Sequence, residues 1–193
     1  ISAIQGGLLL INNEKLASRM ENIYHIGTNR EKFIDKKVPY YEWVDKGSKF
    51  QMNELNAAVL YENLKSASEI LHYRNTLSRI YYEHLKVLEE DGYLKLLPEN
   101  KLENNYHEFY ILTKNREERI ALSKYLLEKG IEALFHYIPL HLSEFGKKIG
   151  TYHGGNNTEN VSNTLLRLPM HMDLQEGDII YISEQIKAFY YDK

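Results

Sequence analysis

Three short segments of this chain hold the residue types that could do chemistry. The first is His136-Tyr137-Ile138-Pro139-Leu140-His141, two imidazoles and a phenol around a proline turn. Histidines at the end of a strand can bind or position a polar ligand. Turn packing with satisfied histidines is the plain alternative. The second is Gly47-Ser48-Lys49-Phe50-Gln51-Met52-Asn53-Glu54-Leu55. A glycine and polar cluster just before a helix can offer backbone N–H groups and a cation to an anion, or simply cap the helix. The third is Gly27-Thr28-Asn29-Arg30, where Arg30 could clamp a phosphate or carboxylate or stay a solvated loop charge.

Other chemistries lack their residues. There is no cysteine, so disulfides, thiolate metal sites and a cysteine nucleophile are excluded. No GxGxxG, P-loop or HExxH motif occurs. The pair His136 and His141 has no metal-ligand spacing, so no metal is expected. Asn156-Asn157-Thr158 and Asn160-Val161-Ser162 match the glycosylation pattern, but without a secretory signal both read as chance.

The elements that must position these segments follow from pattern. Gly6 to Ile11 is a continuous apolar run and reads as a strand buried on both faces. Glu14 to Ile26 reads as a helix with Leu16, Met20 and Ile23 on one stripe, stopped by Gly27. Thr28 to Lys49 has no clean period, which in a compact domain points to function or disorder; its aromatics favour function. Met52 to about Leu88 reads as one long helix or two in tandem, with Leu55, Val59, Ile70, Leu77, Ile80 and Leu88 as apolar positions and Asp91-Gly92 as the stop. Then come a short strand over Tyr93 to Leu97 and a second over His107 to Thr113. A helix over Arg116 to Lys129 ends at Gly130, and Ile131 to Tyr137 reads as a third strand. Pro139 to Ile149 reads as a short helix, Thr158 to Leu166 as another, and Leu168-Pro169-Met170 as at most an edge strand. Asp178 to Tyr190 reads as an amphipathic helix with Ile179, Ile182, Ile186 and Phe189 inward. The expected architecture is the tail of an α/β domain, a long helical connection and a compact α+β domain.

Composition bounds the function. The 193 residues can bury a core unaided, and 43% hydrophobic with 26% charged residues is ordinary globular usage. With 24 basic and 27 acidic residues the net charge is −3, so a nucleic-acid binder built on the α+β domain finds no basic character to support it. No apolar run approaches the roughly 18–20 residues of a membrane span. The absence of cysteine fits a reducing compartment. The 16 tyrosines could form a stacking surface, but the abundance of Lys, Asn and Ile beside them points to codon bias.

Taken in order, five stretches carry a resemblance: Ile1-Ser2-Ala3-Ile4-Gln5-Gly6-Gly7 through Asn12, Gly27 to Arg30, Gly47 to Ala58, Phe135 to His141, and Arg167-Leu168-Pro169. In register over nearly the whole chain, they make it resemble the C-terminal half of a nucleotide-sugar aminotransferase of the DegT/DnrJ type. Within that group it most resembles the dTDP-4-amino-4,6-dideoxygalactose transaminases.

The resemblance implies the C-terminal part of a fold type I, aspartate-aminotransferase-like enzyme that uses pyridoxal 5′-phosphate. It implies transfer of an amino group from glutamate to a nucleotide-linked 4-keto-6-deoxy sugar, for cell-surface polysaccharide or lipopolysaccharide biosynthesis, in a cytoplasmic homodimer with shared active sites. Residues 1–46 would be the end of the large cofactor-binding domain with the substrate loop, 47–90 the connecting helical region, and 91–193 the small α+β domain. The lysine that holds the cofactor would fall about two residues before Ile1, so this chain alone is expected to be inactive. Ser48, Lys49 and Gln51 would meet the partner's cofactor phosphate; Lys49 and Gln51 stand where many relatives have Asn or Arg. Asn29, Arg30 and Trp43 would line the sugar-nucleotide side, with His136, Tyr137 and His141 on the small-domain wall. A non-catalytic dimerisation or regulatory module derived from the same fold is the other reading.

Overall fold

The computed structural model describes residues 3–98 and 104–192. The chain divides into two compact units, residues 1–67 and 68–193.

The first unit holds three helices, α1 (Glu14–Tyr24), α2 (Arg30–Ile34) and α3 (Glu54–Lys65). Asn13 caps α1 by accepting from the Lys15 amide, and Asn53 caps α3 by accepting from the Asn56 amide. These are the short polar side chains that satisfy orphan donors at helix starts. Two isolated bridges, His25 with Lys49 and Thr28 with Trp43, fold the intervening segment back on itself. Gly27 and Gly47 make that closure possible. A Cβ on Gly27, whose φ is +77°, would lie 2.0 Å from the Asp45 carbonyl oxygen, and one on Gly47 would lie 2.2 Å from the Gly27 nitrogen. Only two bare backbones can come this close.

The second unit is built on α4 (Ala67–Glu90), β1 (Lys95–Leu96), β2 (Phe109–Leu112), α5 (Arg116–Glu128), α6 (Glu144–Ile149), α7 (Asn157–Thr164), β3 (Leu165–Leu168) and α8 (Glu176–Tyr191). The strands form one antiparallel sheet in the order β1-β2-β3. Phe109 pairs with Leu168 and Ile111 with Leu166, so these four apolar side chains share one face. They are buried to 1% exposure or less. Against them pack Leu77, Tyr81, Leu85 and Leu88 of α4, Leu122 and Leu126 of α5, and Ile179, Ile182 and Ile186 of α8. The spacing of four, four and three along α4 is that of one helical stripe. Tyr81 stacks on Phe109 at 4.6 Å, and its hydroxyl reaches the Pro169 carbonyl at 2.9 Å, an aromatic buried with its polar end satisfied.

Several expectations are corrected. Gly6 to Ile11 lies in no strand, and Leu8, Leu9 and Leu10 are 62–83% exposed. A strand exists through its ladder, and no described residue pairs with this run. Residues 131–137 are not a third strand. Only Leu134 bridges to Arg167, while the Ala133 and Tyr137 carbonyls are taken by the Ser123 and Ser162 hydroxyls. The third strand is β3, which ends at Leu168 because Pro169 has no N–H to donate. The unperiodic stretch after Gly27 contains α2. The helical run from residue 54 breaks at Ser66, giving two helices in tandem. On α8 it is Tyr190 that is fully inward, with Phe189 packed at the margin. The α1 stripe of Leu16, Met20 and Ile23 has no fully buried member.

Candidate cofactor and substrate residues

In the first unit the candidate residues sort into those that build the scaffold and those left available. Asn29 is 6% exposed. Its amide nitrogen donates to the Tyr40 carbonyl at 3.0 Å, and its Oδ1 accepts from the Glu42 amide at 2.9 Å. Its backbone N–H also donates to the Glu42 carbonyl at 3.2 Å. The side chain therefore clasps both ends of its own loop. Gln51 is also engaged. Its Nε2 lies 2.8 Å from His25 Nδ1, and His25 Nε2 lies 2.8 Å from Glu31 Oε1. An ionised carboxylate only accepts, so Nε2 carries the proton to Glu31 and the Gln51 amide donates to Nδ1.

His25 thus ties together three segments that sequence reading treats separately. It follows α1, and its backbone bridges Lys49. Its ring joins Gln51 of the 47–52 loop to Glu31 of α2, and the Thr28 hydroxyl caps its carbonyl at 2.6 Å. Nothing in its local sequence signals this, because both ring partners come from other segments. Arg19 adds a pin by donating to Asp45 at 2.8 Å. That hydrogen bond holds the Asp45 carboxyl below its ordinary range.

On this scaffold Arg30 opens α2 and is exposed, and among the described residues it has no ion pair. Trp43 is 76% exposed beside exposed Tyr40 and Tyr41. Ser48 and Lys49 are exposed on the loop before α3, and among the described residues neither side chain is hydrogen-bonded. One hydroxyl and one ammonium, both available on a braced loop, suit the oxygens of a phosphate monoester. Gln51 is spent on His25.

In the second unit the two histidines have separate partners. His136 Nδ1 is 3.5 Å from Glu108 Oε1, which also accepts from Arg167 at 2.8 Å. Burial works to raise the Glu108 carboxyl, but the hydrogen bond and charge of Arg167, with the charges of His107 and His136, outweigh it and hold it low. His136 stacks on Tyr137 with ring centroids 4.0 Å apart, and Tyr137 is 69% exposed. His141 Nε2 lies 2.8 Å from Glu159 Oε1, and its ring lies flat on Tyr152, 3.8 Å between centroids and 3° between planes. The hydrogen bond from His141 is the main reason that the Glu159 carboxyl is held low. Nothing in the local sequence of Glu108, Tyr152 or Glu159 signals these contacts, since each meets its histidine from a separate segment.

Among the described residues no group of three or more His, Cys, Asp or Glu could hold a metal ion, and no helix is long and apolar enough to cross a membrane.

Comparison with known proteins identifies the family. The DegT/DnrJ/EryC1/StrS aminotransferase family matches residues 1–187. A pleiotropic regulatory protein of Geobacillus stearothermophilus is 28% identical over 96% of this chain and 47% of its own length. The crystal structure of a DegT DnrJ EryC1 StrS aminotransferase from Brucella abortus superposes with a TM-score of 0.76 at 27% identity, over 94% of this chain and 45% of that one. Helicobacter pylori PseC, an aminotransferase involved in the biosynthesis of pseudoaminic acid, gives a TM-score of 0.79 at 20% identity, over 94% and 48%. The chain spans about half the length of the curated relatives it matches, 50% of one and 47% of another. Aminotransferases of this family use pyridoxal phosphate, and the fold is that of the C-terminal part of a fold type I enzyme. The chain belongs to the DegT/DnrJ/EryC1/StrS aminotransferase family.

Proposed function

We propose that this chain is the C-terminal portion of a pyridoxal-phosphate-dependent sugar aminotransferase. Its whole protein moves an amino group from glutamate to a nucleotide-linked 4-keto-6-deoxy sugar, as in the dTDP-4-amino-4,6-dideoxygalactose transaminases. When bound, the cofactor supplies the electron sink that such a transfer needs. The lysine that holds the cofactor belongs upstream of Ile1, and the protein works in the cytoplasm as a homodimer.

The observation that carries this reading is the braced loop before α3. Its backbone is bridged to His25 and its Gln51 is held by the His25 ring, while Ser48 and Lys49 stay exposed. In this reading Lys49 and Ser48 hold the cofactor phosphate, from one protomer to its partner. Gln51 acts indirectly, by fixing the loop. Arg30 meets the diphosphate of the sugar nucleotide and Trp43 offers a stacking face. His136, Tyr137 and His141 meet the sugar, and Asn29 acts indirectly, by holding the loop that carries Trp43.

Retention of pyridoxal phosphate by the intact protein tests the loop assignment. A charge-assisted hydrogen bond contributes about 1.5–3 kcal/mol, and the exposure of Lys49 places it at the lower end. Lys49→Ala is expected to weaken cofactor binding about tenfold, measured by equilibrium dialysis. Unchanged affinity in the Lys49→Ala, Ser48→Ala double variant would refute the assignment.

A second reading, a non-catalytic regulatory or dimerisation module, is favoured by the exposed apolar side chains Leu8, Leu9, Leu10 and Phe50. It predicts that the intact protein takes up no cofactor.

A further inference from the structure

We propose that Glu159 and Tyr152 hold His141 so that its Nδ1 accepts a hydrogen bond from a sugar hydroxyl, with Glu159 as the positioning residue. The inference rests on the sugar aminotransferase reading and extends it to one atom. Glu159 accepts from His141 Nε2 at 2.8 Å. A carboxylate can only accept, so the ring proton sits on Nε2, and a neutral imidazole protonated there presents a lone pair at Nδ1. Among the described residues Nδ1 carries no hydrogen bond. Tyr152 covers one face of the ring at 3.8 Å with the two planes nearly parallel, which restrains the ring's tilt. The pair is partly withdrawn from water, with 19% and 24% of the two side chains exposed.

The support reaches further than one contact. Glu159 lies in the first turn of α7, and Ser162 of the same helix donates to the Tyr137 carbonyl at 2.7 Å. One helix therefore anchors the 137–141 segment at both ends. His136 is different: Glu108 is its ion-pair partner at 3.5 Å and is shared with Arg167, so it is tied to the sheet. Of the two candidate histidines, His141 is the one whose carboxylate contact is a hydrogen bond, at 2.8 Å, and so fixes which ring nitrogen holds the proton; the contact of His136 is a 3.5 Å ion pair to a carboxylate shared with Arg167. A purely structural role would use only the Nε2 side, to pin the loop to α7.

Two replacements separate these roles. His141→Gln can keep a donor near the Nε2 position and so the bond to Glu159, but it loses the Nδ1 acceptor. His141→Asn places an amide oxygen near the Nδ1 position and loses the bond to Glu159. In the intact protein, with dTDP-glucose as the probe, His141→Gln is expected to keep the wild-type unfolding midpoint and weaken binding about 3- to 10-fold, the range of one ordinary hydrogen bond. His141→Asn should recover part of that loss, and Glu159→Ala should weaken binding through misorientation. Ring-nitrogen NMR of the wild type at about pH 8.5, roughly two units above the ordinary imidazole value, should show His141 protonated on Nε2. Unchanged binding in His141→Gln refutes the acceptor role. A proton found on Nδ1 refutes the positioning by Glu159, whatever the sugar does. A wild type that shows the expected tautomer but does not bind the probe refutes the sugar reading, and the acceptor role falls with it.

Discussion

Replacing Asn29 by alanine separates scaffold from ligand contact in the loop that carries Trp43. The side chain makes two hydrogen bonds, to the Tyr40 carbonyl and from the Glu42 amide. Each is worth about 0.5–1.5 kcal/mol net, so losing both costs about 1–3 kcal/mol. The larger penalty for stranding buried groups does not apply, because Tyr40 and Glu42 are exposed and water can replace the lost partners. At about 1.4 kcal/mol per factor of ten, the open form of the loop becomes roughly 5- to 150-fold more populated. Amide hydrogen exchange reads this directly. The Asn29, Glu42, Val44 and Asp45 amides close the loop, the last two by donating to the Gly27 carbonyl at 2.8 and 3.0 Å. Their exchange should accelerate by that factor, while the Ile111 and Leu166 amides of the second unit stay unchanged. Asn29→Asp keeps the acceptor for Glu42 but turns a carboxylate oxygen toward the Tyr40 carbonyl, two acceptors facing each other, so it should not restore the protection of the wild type. If Asn29→Ala leaves all four amides protected and changes only substrate binding, the clasp is refuted and Asn29 is a ligand contact.

Three further outcomes follow from the same geometry. Gly47→Ala drives a Cβ against the Gly27 backbone and should cost about 1–3 kcal/mol, read as faster exchange at Val44 and Asp45; unaltered exchange would mean that the two segments part freely. Phe109→Ala removes a fully buried ring that contacts Tyr81 and Tyr82 at 4.6 and 5.1 Å and should lower the stability of the second unit by about 3–5 kcal/mol in urea unfolding; a loss under about 1 kcal/mol would contradict the packing. Glu108 has a folded-state carboxyl lower than the ordinary value, so its stabilising contribution is present above about pH 4.3 and fades as pH falls through the lowered value. Glu108→Gln should therefore destabilise at pH 7 and do little in strong acid. An equal loss at both would refute the Arg167 pairing.

Where the polypeptide's own period or a single punctuating residue decides the structure, sequence reading locates it. Gly92 and Gly130 stop α4 and α5 with φ of +74° and +79°, and the alternation of Phe109 and Ile111 places β2. Where the outcome depends on a partner across the chain, it does not. Gly6 to Ile11 has the composition of a central strand, yet no ladder within the described residues forms it. Residues 131–137 have strand composition too, but hydroxyls of Ser123 and Ser162 compete for their carbonyls. The same limit governs the candidate site. Ser48, Lys49, Arg30 and the histidines stand out as candidates by residue type beside glycine or proline. That Asn29 and Gln51 are spent on scaffold, and that His25, Glu108, Tyr152 and Glu159 do the holding, depends on contacts between distant segments.

The His25 hub sets limits on redesign of the substrate loop. Arg30 and Trp43 project from the loop without carrying it, so under the proposed function they are the positions to vary when a different nucleotide or sugar is sought. Glu31 and Asn29, the immediate neighbours of Arg30, are fixed by His25 and by Glu42 and cannot be exchanged with it. A loop transplanted from a relative will seat only if it brings an acceptor for His25 at the position of Glu31, or if His25 and Gln51 are replaced along with it. Substitutions in this loop are therefore expected to be tolerated one residue at a time at exposed positions, and only as a set of three, His25, Glu31 and Gln51, wherever the hub is touched.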